Sequence, residues 1–196
     1  MPATNERRSS AQTRERVLDV THELFYWHGI HATGVDTVAS AAEVAPTTLY
    51  RLFGSKDGLV AAYVERAGAL YRGWFDQSLG NPDRPARERL LGLFGALDEQ
   101  VQPENCRGCP FLMALAEIPD ESDPAHRHAV ALKAWVNTRF GELVRELTPP
   151  VADPDQVADA LTLIFEGSYA SAQALGAGGP ARRSPDIVAA MLEPVG

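Results

Sequence analysis

The sequence is poor in cysteine and in long apolar runs, and each shortage excludes a class of protein. Cys106 and Cys109 are the only cysteines among 196 residues, too few for the disulfide scaffold of a small secreted domain. No apolar run approaches the roughly 20 residues of a membrane-spanning helix. The polar start of the chain, residues 1–10, does not resemble a signal peptide. We therefore expect a cytoplasmic protein with no membrane partner.

The common catalytic patterns are also missing. No Gly-rich phosphate loop, His-Glu-x-x-His pair, Ser-His-Asp order or paired-carboxylate pattern stands out. We therefore expect no enzymatic activity, no resident metal and no cofactor. With 45% hydrophobic residues the chain can bury a substantial core.

The acidic charge of the chain is unevenly spread. The net charge is −8, which at first argues against a nucleic-acid partner, because phosphate contacts supply most of the affinity for DNA. Residues 1–60, however, hold six basic and seven acidic residues, so most of the excess acid follows them. A DNA-binding segment is therefore compatible with the first part of the chain.

Apolar residues recur at helical spacing along the chain and no strand pattern competes, which predicts an all-α fold of about nine helices. Glycine and proline clusters separate the helices. The predicted helices span residues 10–28, 35–42, 46–53, 55–78, 86–101, 110–118, 124–147, 155–175 and 184–192.

The second and third of these helices form a helix-turn-helix. Pro46 suits the first turn of a helix, and Leu49, Leu52 and Phe53 give that helix a buried face. In such a motif the second helix lies in the major groove. Its outward face would carry Thr47, Thr48, Tyr50 and Arg51. Ser55 is a good N-cap for the next helix, and Lys56 in its first turn suits a DNA phosphate.

The residue pattern of this part of the chain resembles that of the TetR family of transcriptional regulators over about the first 60 residues. The resemblance is carried by Thr48-Leu49-Tyr50-Arg51-x-Phe53-x-Ser55-Lys56-Asp57-x-Leu59, preceded by Phe25-x-x-x-Gly29 and Thr33-x-Val35-x-x-Val38-Ala39. It implies a DNA-binding domain at residues 1–56 and a helical ligand-binding and dimerisation domain at residues 57–196. It also implies that Thr47, Thr48 and Arg51 contact bases, and that Thr33, Tyr50 and Lys56 contact phosphates.

Three positions depart from the family pattern. Glu43 replaces a glycine usually found in the turn, Ala45-Pro46 replaces a common Ser-Lys, and Leu52 replaces a frequent histidine. The operator sequence of a relative therefore does not predict the operator of this protein. The arm at residues 1–9, with Arg7 and Arg8, is either a solvated terminus or a contact to DNA.

The resemblance implies a homodimer that binds a palindromic double-stranded DNA operator as a repressor and is released by a small-molecule effector. Two alternatives remain. One is a regulator of the same fold that activates transcription or has no inducer. The other is a thiol redox protein that uses Cys106 and Cys109.

A largely apolar effector is expected, because the second domain is rich in bulky apolar and aromatic residues. The candidate ligand-binding residues are Trp74, Phe94, Phe111, Met113, Trp135, Phe165 and Tyr169. One of the acids Asp98, Glu117 and Glu166 could attract a cation at the wall of such a cavity.

Cys106 and Cys109 have three possible roles. They could be small residues at a helix start, a redox-active dithiol, or metal ligands completed by His126 and His128. The run from Arg107 to Phe111 also resembles an element found near the ligand cavity in one group of TetR-like regulators, which favours the positional role.

The predicted helix at residues 155–175 has a wide face of small residues. Small residues let two helices approach closely. The resemblance implies that this helix and the last one pair with their copies in a four-helix dimer interface. The small residues are Ala158, Ala160, Gly167, Ser168, Ala170, Ser171, Ala172 and Ala174.

Overall fold

The computed structural model describes residues 9–104 and 106–193. Within these residues the chain forms nine α-helices, two 3₁₀ turns and no strand, which confirms the all-α prediction. The predicted helix ends lie within about two residues of the observed ones. The α-helices are α1 (Ser10–His28), α2 (Val35–Ala41), α3 (Pro46–Phe53), α4 (Lys56–Leu79), α5 (Ala86–Gln100), α6 (Pro110–Glu117), α7 (Pro124–Arg145), α8 (Pro154–Leu175) and α9 (Ser184–Met191).

Local sequence explains where most helices begin. Ser9 caps α1 through a reciprocal pair of hydrogen bonds with Gln12, and Ser55, Asp123 and Asp153 cap α4, α7 and α8 with their side chains. Proline occupies the first turn of α3, α6, α7 and α8, where its missing N–H costs nothing. The Gly-rich stretch after α8 forms 3₁₀ turns at Gly176–Gly178 and Pro180–Arg183, which the sequence did not predict.

Helix α4 connects the first three helices to the rest of the chain. It packs against α1 and α3 and also against α5 and α7. Near its start, the Tyr63 ring meets the Phe25 ring of α1 edge-on at 5.5 Å. Further along, the Phe75 ring lies 5.7 Å from the Phe140 ring of α7. A displacement of α4 therefore affects both parts of the molecule.

The centre of the larger part is a group of phenylalanine rings from α4, α5, α7 and α8. Phe75, Phe94, Phe140 and Phe165 are fully buried. Five pairs among them have ring centroids 5.5 to 5.9 Å apart. Buried aromatic side chains of this kind typically contribute about 3–5 kcal/mol each when truncation to alanine is the measure. This ring group fixes the packing of the four helices.

None of the described helices is both long and apolar enough to cross a membrane.

Candidate nucleic-acid interface

Helix α3 presents a polar face to solvent and an apolar face to the core. Leu49 is 1% exposed, whereas Tyr50, its neighbour in the chain, is 49% exposed. Thr47 and Arg51 are exposed and Thr48 is partly exposed. Four of the six predicted DNA-binding residues therefore lie on one helix. Their hydroxyl and guanidinium groups can hydrogen-bond to base edges or phosphates.

The apolar face of α3 packs against α2 and α4, and α1 contacts the end of α3. Leu49 and Val38 belong to the same buried cluster as Val17 and Leu18 of α1. The guanidinium of Arg14 lies 4.8 Å from the centre of the Phe53 ring, a cation–π contact between α1 and the end of α3. Helix α3 is therefore fixed as part of a three-helix unit.

The turn between α2 and α3 contains the Glu43 that replaces the usual glycine. Its φ is +50°, a left-handed conformation that side chains other than glycine adopt at a cost. The Glu43 carboxylate lies 3.4 Å from the Arg16 guanidinium of α1. This pair is solvent-exposed and offsets only part of that cost. The turn keeps its left-handed shape without the glycine.

The junction between α3 and α4 leaves no room for a side chain at Gly58. The Oγ of Ser55 accepts a hydrogen bond from the Gly58 amide at 3.0 Å. A Cβ built on Gly58 would lie 2.0 Å from the backbone oxygen of Phe53. Sequence reasoning did not single out Gly58. The available signal was a glycine inside a helix, where it costs about 1 kcal/mol relative to alanine and so calls for another reason.

Lys56 lies at the start of α4, beside the turn between α1 and α2. Its side chain is partly exposed, and its Nζ donates to the backbone oxygen of His31 at 3.4 Å. An ammonium has three donors, so Lys56 can hold this turn and a phosphate together.

Thr33 has a different position from the other predicted DNA-binding residues. It is 4% exposed, and its hydroxyl donates to the backbone oxygen of Gly29 at 2.8 Å. The Thr33 hydroxyl is therefore directed into the turn and does not face solvent as a phosphate contact would require. Sequence reasoning could not detect this, because the burial depends on how the turn packs.

Glu117, at the end of α6, fixes the same turn from the other part of the molecule. Its carboxylate accepts from the amides of Ile30 at 3.1 Å and His31 at 2.7 Å. The His31 ring Nε2 donates to the backbone oxygen of Glu117 at 2.6 Å. A cavity of about 270 Å³ adjoins these contacts and is also lined by Lys56 and Asp57. Helix α6 is thus tied directly to the three-helix unit.

Comparison with known proteins decides the family. The family model for bacterial regulatory proteins of the TetR family matches residues 17–63, from α1 into α4. The crystal structure of SAV143, a TetR transcriptional regulator of Streptomyces avermitilis, is 30% identical to this chain. It covers 92% of this chain and 97% of its own length, with a TM-score of 0.76. The chain belongs to the TetR family. It is a DNA-binding helix-turn-helix regulator of transcription.

Two further relatives of this TetR protein match over most of their length. The transcriptional regulator YjdC of Escherichia coli is 28% identical over 154 residues, which are 79% of this chain and 80% of YjdC. The transcriptional repressor ComR of the same organism is 25% identical over 166 residues, covering 82% and 79% of the two chains. Both relatives are named as regulators of transcription.

The seven predicted ligand-binding residues of this TetR protein fall into two groups. Phe94, Phe111, Phe165 and Tyr169 are at most 1% exposed. Trp74, Met113 and Trp135 are partly exposed. The rings contact one another within the core, as for Trp74 and Phe165 at 6.4 Å and Phe165 and Tyr169 at 6.0 Å. Trp74, Met113 and Trp135 are therefore the members of this set that remain accessible to solvent.

A partly buried polar group lies beside these rings. The Lys133 ammonium of α7 lies 2.8 Å from both carboxylate oxygens of Glu166 on α8 and 3.0 Å from the Sγ of Cys109. The Tyr169 hydroxyl lies 3.4 Å from the Tyr71 hydroxyl. Burial raises the pKa of both tyrosines well above the usual value, with smaller contributions from Cys109 and Glu166, so both hydroxyls stay protonated at neutral pH.

The acids expected to attract a cation are mostly engaged with other partners. Glu166 is neutralised by Lys133, and Glu117 holds the turn after α1. Asp98 has one buried carboxylate oxygen without a hydrogen-bond partner among the described residues. Among these three acids, Asp98 therefore has an unpaired carboxylate oxygen within the described residues.

Cys106 and Cys109 are buried free thiols. No group of three or more His, Cys, Asp or Glu side chains within residues 9–104 and 106–193 is arranged to hold a metal ion. The Nδ1 of His126 instead donates to the backbone oxygen of Ile118 at 2.7 Å. The proposed ligand set of both cysteines with His126 and His128 is therefore not assembled. Arg7 and Arg8 of the predicted arm lie outside the described residues.

Proposed function

We propose that this protein is a homodimeric repressor that binds a palindromic operator and leaves it when a small, largely apolar effector binds the second domain. The exposed polar face of α3 carries the proposal, because Thr47, Thr48, Tyr50 and Arg51 project from a helix whose other face is fixed in the core. The relative ComR is named a repressor, which supports this sign of regulation.

An exposed apolar stripe supports the dimer. Leu163, Gly167, Ala170 and Ala174 are exposed on α8 at spacings of three and four residues, so they share one face of the helix. Leu163 is 73% exposed, and Ile187 on α9 is 48% exposed. A second copy of the chain would remove this apolar surface from water. Two α3 helices could then fill half-sites about 34–36 Å apart, one turn of DNA.

The small-residue face of α8 is narrower than the sequence suggested. Ser168 and Ala172 are 3% and 6% exposed, because they pack into the core of their own chain. Ser171 is partly exposed and its hydroxyl oxygen is buried without a partner in the described structure. The proposed interface therefore uses the face that begins at Leu163 and not the face of Ala172.

The effector would act through α4 and α6. Trp74 lies on α4 and Met113 on α6, and both side chains are partly exposed. Helix α4 runs from this region to Lys56, and α6 ends at Glu117, which holds the turn before the helix-turn-helix. A ligand that binds better when these helices shift would favour the form that does not fit DNA.

DNA binding by variants of α3 and α4 tests the proposal. Operators are first selected from random double-stranded DNA by the wild-type protein. Lys56→Gln should weaken binding to all sequences and flatten the salt dependence, because it removes a phosphate contact. Arg51→Ala should relax preference at particular bases, each worth about 1–3 kcal/mol. Glu88→Gln, an exposed site on α5, is the control. Unchanged affinities in both variants would exclude this interface.

The effector is tested separately by a thermal-shift screen of apolar, cationic aromatic and sugar-phosphate compounds. A ligand bound by the folded state raises the melting temperature, and it should release the operator over the same concentration range. Apolar compounds with rings are expected to do both. If only sugar phosphates do so, the prediction of an apolar effector is wrong.

A further inference from the structure

We propose that Cys106 and Cys109 form an oxidant-sensitive dithiol, and that their disulfide loosens the attachment of α1 to the second domain. The oxidant would be a small hydroperoxide. The effect on operator binding rests on the proposed function above, whereas the oxidation itself does not.

Arg107 and Gly108, the two residues between the cysteines, form hydrogen bonds to Tyr26 near the end of α1. The Arg107 amide donates to the Tyr26 hydroxyl at 2.7 Å, and that hydroxyl donates to the Gly108 oxygen at 3.0 Å. The Arg107 guanidinium also donates to the backbone oxygen of Tyr26 at 2.7 Å. Tyr26 is 9% exposed, so these bonds form away from water. The segment Cys106-Arg107-Gly108-Cys109, here called the thiol loop, is a direct link to α1.

Cys109 lies beside a lysine and at the start of a helix. Its Sγ lies 3.0 Å from the Lys133 ammonium. Cys109 is also the N-cap residue of α6, where the free amides and the helix dipole favour negative charge. A neighbouring lysine, a helix N-terminus and a Cys-x-x-Cys spacing are all features of reactive cysteines. The lysine and the helix start distinguish Cys109 from Cys106, so we assign Cys109 as the residue that attacks the oxidant.

Cys106 is the second thiol that the proposal requires to resolve the oxidised form. It is a buried thiol three residues before Cys109, and its Sγ lies 3.8 Å from the Gly108 oxygen. Both thiols are buried at the two ends of the thiol loop. A buried second thiol protects the first from further oxidation, because it condenses with the sulfenic acid.

The reaction balances with one hydroperoxide. The Cys109 thiolate attacks one oxygen of hydrogen peroxide and the O–O bond breaks, giving a sulfenic acid and hydroxide. The Cys106 sulfur then attacks the Cys109 sulfur, an S–S bond forms, and the sulfenic hydroxyl leaves with the Cys106 proton as water. The two thiols lose two electrons and the peroxide gains two. A dithiol reductant reverses the change by thiol–disulfide exchange.

The thiol loop cannot adapt freely to the new bond. Gly108 has φ +137°, and a Cβ there would lie 2.7 Å from the Gln173 side chain of α8. The loop is therefore confined between α1 and α8. A disulfide requires specific Cα separation and dihedral angles. We expect Arg107 and Gly108 to meet this requirement by giving up their hydrogen bonds to Tyr26, which frees the end of α1.

The first test uses the reduced, full-length protein and hydrogen peroxide. Its intact mass should fall by two hydrogen atoms, and both thiols should become unreactive and return with dithiothreitol. Amide exchange near Tyr26 should quicken in the oxidised form. Affinity for DNA selected by the reduced protein should fall about tenfold, a typical allosteric coupling. A gain of two or three oxygens without a disulfide would overturn the proposal.

Variants test the oxidation of the two thiols separately from its effect on DNA binding. Cys106→Ser and Cys109→Ser should abolish the disulfide, and their double variant should bind DNA equally with and without peroxide. Tyr26→Phe should still form the disulfide, but its DNA affinity should respond much less. Lys133→Met combined with Glu166→Gln should slow oxidation of Cys109 without leaving an unpaired charge.

Failure of this proposal can be told from failure of the proposed function. If the reduced protein selects no DNA, the repressor function is wrong, and intact mass and amide exchange still decide the fate of the thiol loop. If the reduced protein binds DNA and its disulfide changes neither amide exchange near Tyr26 nor affinity, the dithiol inference is wrong.

Discussion

Glu43 holds a backbone conformation that usually belongs to glycine. Its φ of +50° lies in the left-handed region, and its carboxylate reaches Arg16 across the turn. The sequence identified Glu43 as a departure from the family pattern but could not show whether the turn would change shape. The shape is retained because the helices on both sides of the turn are packed, α2 against α1 and α3, and α3 against α4. Packing thus overrides the local preference at this residue.

Glu43→Gly should be more stable than Glu43→Ala by about 1 kcal/mol, because alanine pays the left-handed cost and glycine does not. Both variants lose the pair with Arg16, so the comparison isolates the backbone. Chemical denaturation of the two variants measures the difference. Equal stabilities would mean that the turn is unstrained.

His22 makes the stability of α1 sensitive to pH. Its ring stacks on Tyr26 at 5.7 Å. Burial lowers the pKa of His22 below its usual value and Arg66 lowers it further, whereas Glu23 and Asp19 oppose the shift. The folded protein therefore binds this proton at a lower pH than the unfolded chain does, so the stability from a neutral His22 is lost as pH falls through the unfolded value of about 6.5.

His22→Gln should flatten this dependence. Between about pH 7.5 and pH 5 the wild-type melting temperature should fall more than that of the variant. His28→Gln, at an exposed histidine on the same helix, is the matched control and should behave as wild type. Parallel curves for wild type and His22→Gln would contradict the assignment.

Most elements of this fold are predictable from sequence because their ends are encoded locally. Caps such as Ser55 and Asp153, and prolines in first turns, mark the helix starts within a residue or two. Contacts between distant elements are not encoded in this way. The bonds from Glu117 to Ile30 and from Arg107 to Tyr26 join residues more than 80 positions apart. The burial of Thr33 and the hydrogen bonds between the thiol loop and Tyr26 were therefore not predictable from the sequence.

The junction of α3 and α4 makes a sharp prediction at Gly58. Gly58→Ala should destabilise the protein by about 2–3 kcal/mol and weaken DNA binding, because its Cβ collides with the Phe53 backbone at 2.0 Å and the two helices must separate. Gly73→Ala, on the same helix with nothing within 4 Å, should instead stabilise by about 0.5–1 kcal/mol. Thermal and chemical denaturation compare the pair. Similar effects at both sites would show that the junction is not tight.

The whole molecule is expected to be a dimer through α8 and α9. Leu163→Arg should give monomers in sedimentation and weaken operator binding, because it places a charge in an apolar interface. Leu70→Arg is the control, since Leu70 is 59% exposed on α4. The folded content should be unchanged in both, because neither side chain belongs to the core. A wild-type protein that sediments as a monomer would contradict the proposed two-fold dimer.

Two α3 helices of a dimer are expected to read one operator. Selection of random double-stranded DNA by the wild-type protein, followed by sequencing, tests it most directly. We predict enrichment of an inverted repeat whose half-sites are about one helical turn apart, with preference at specific bases lost in Arg51→Ala. No enriched sequence, or the same enriched sequence from Arg51→Ala and Thr47→Ala as from wild type, would contradict the account.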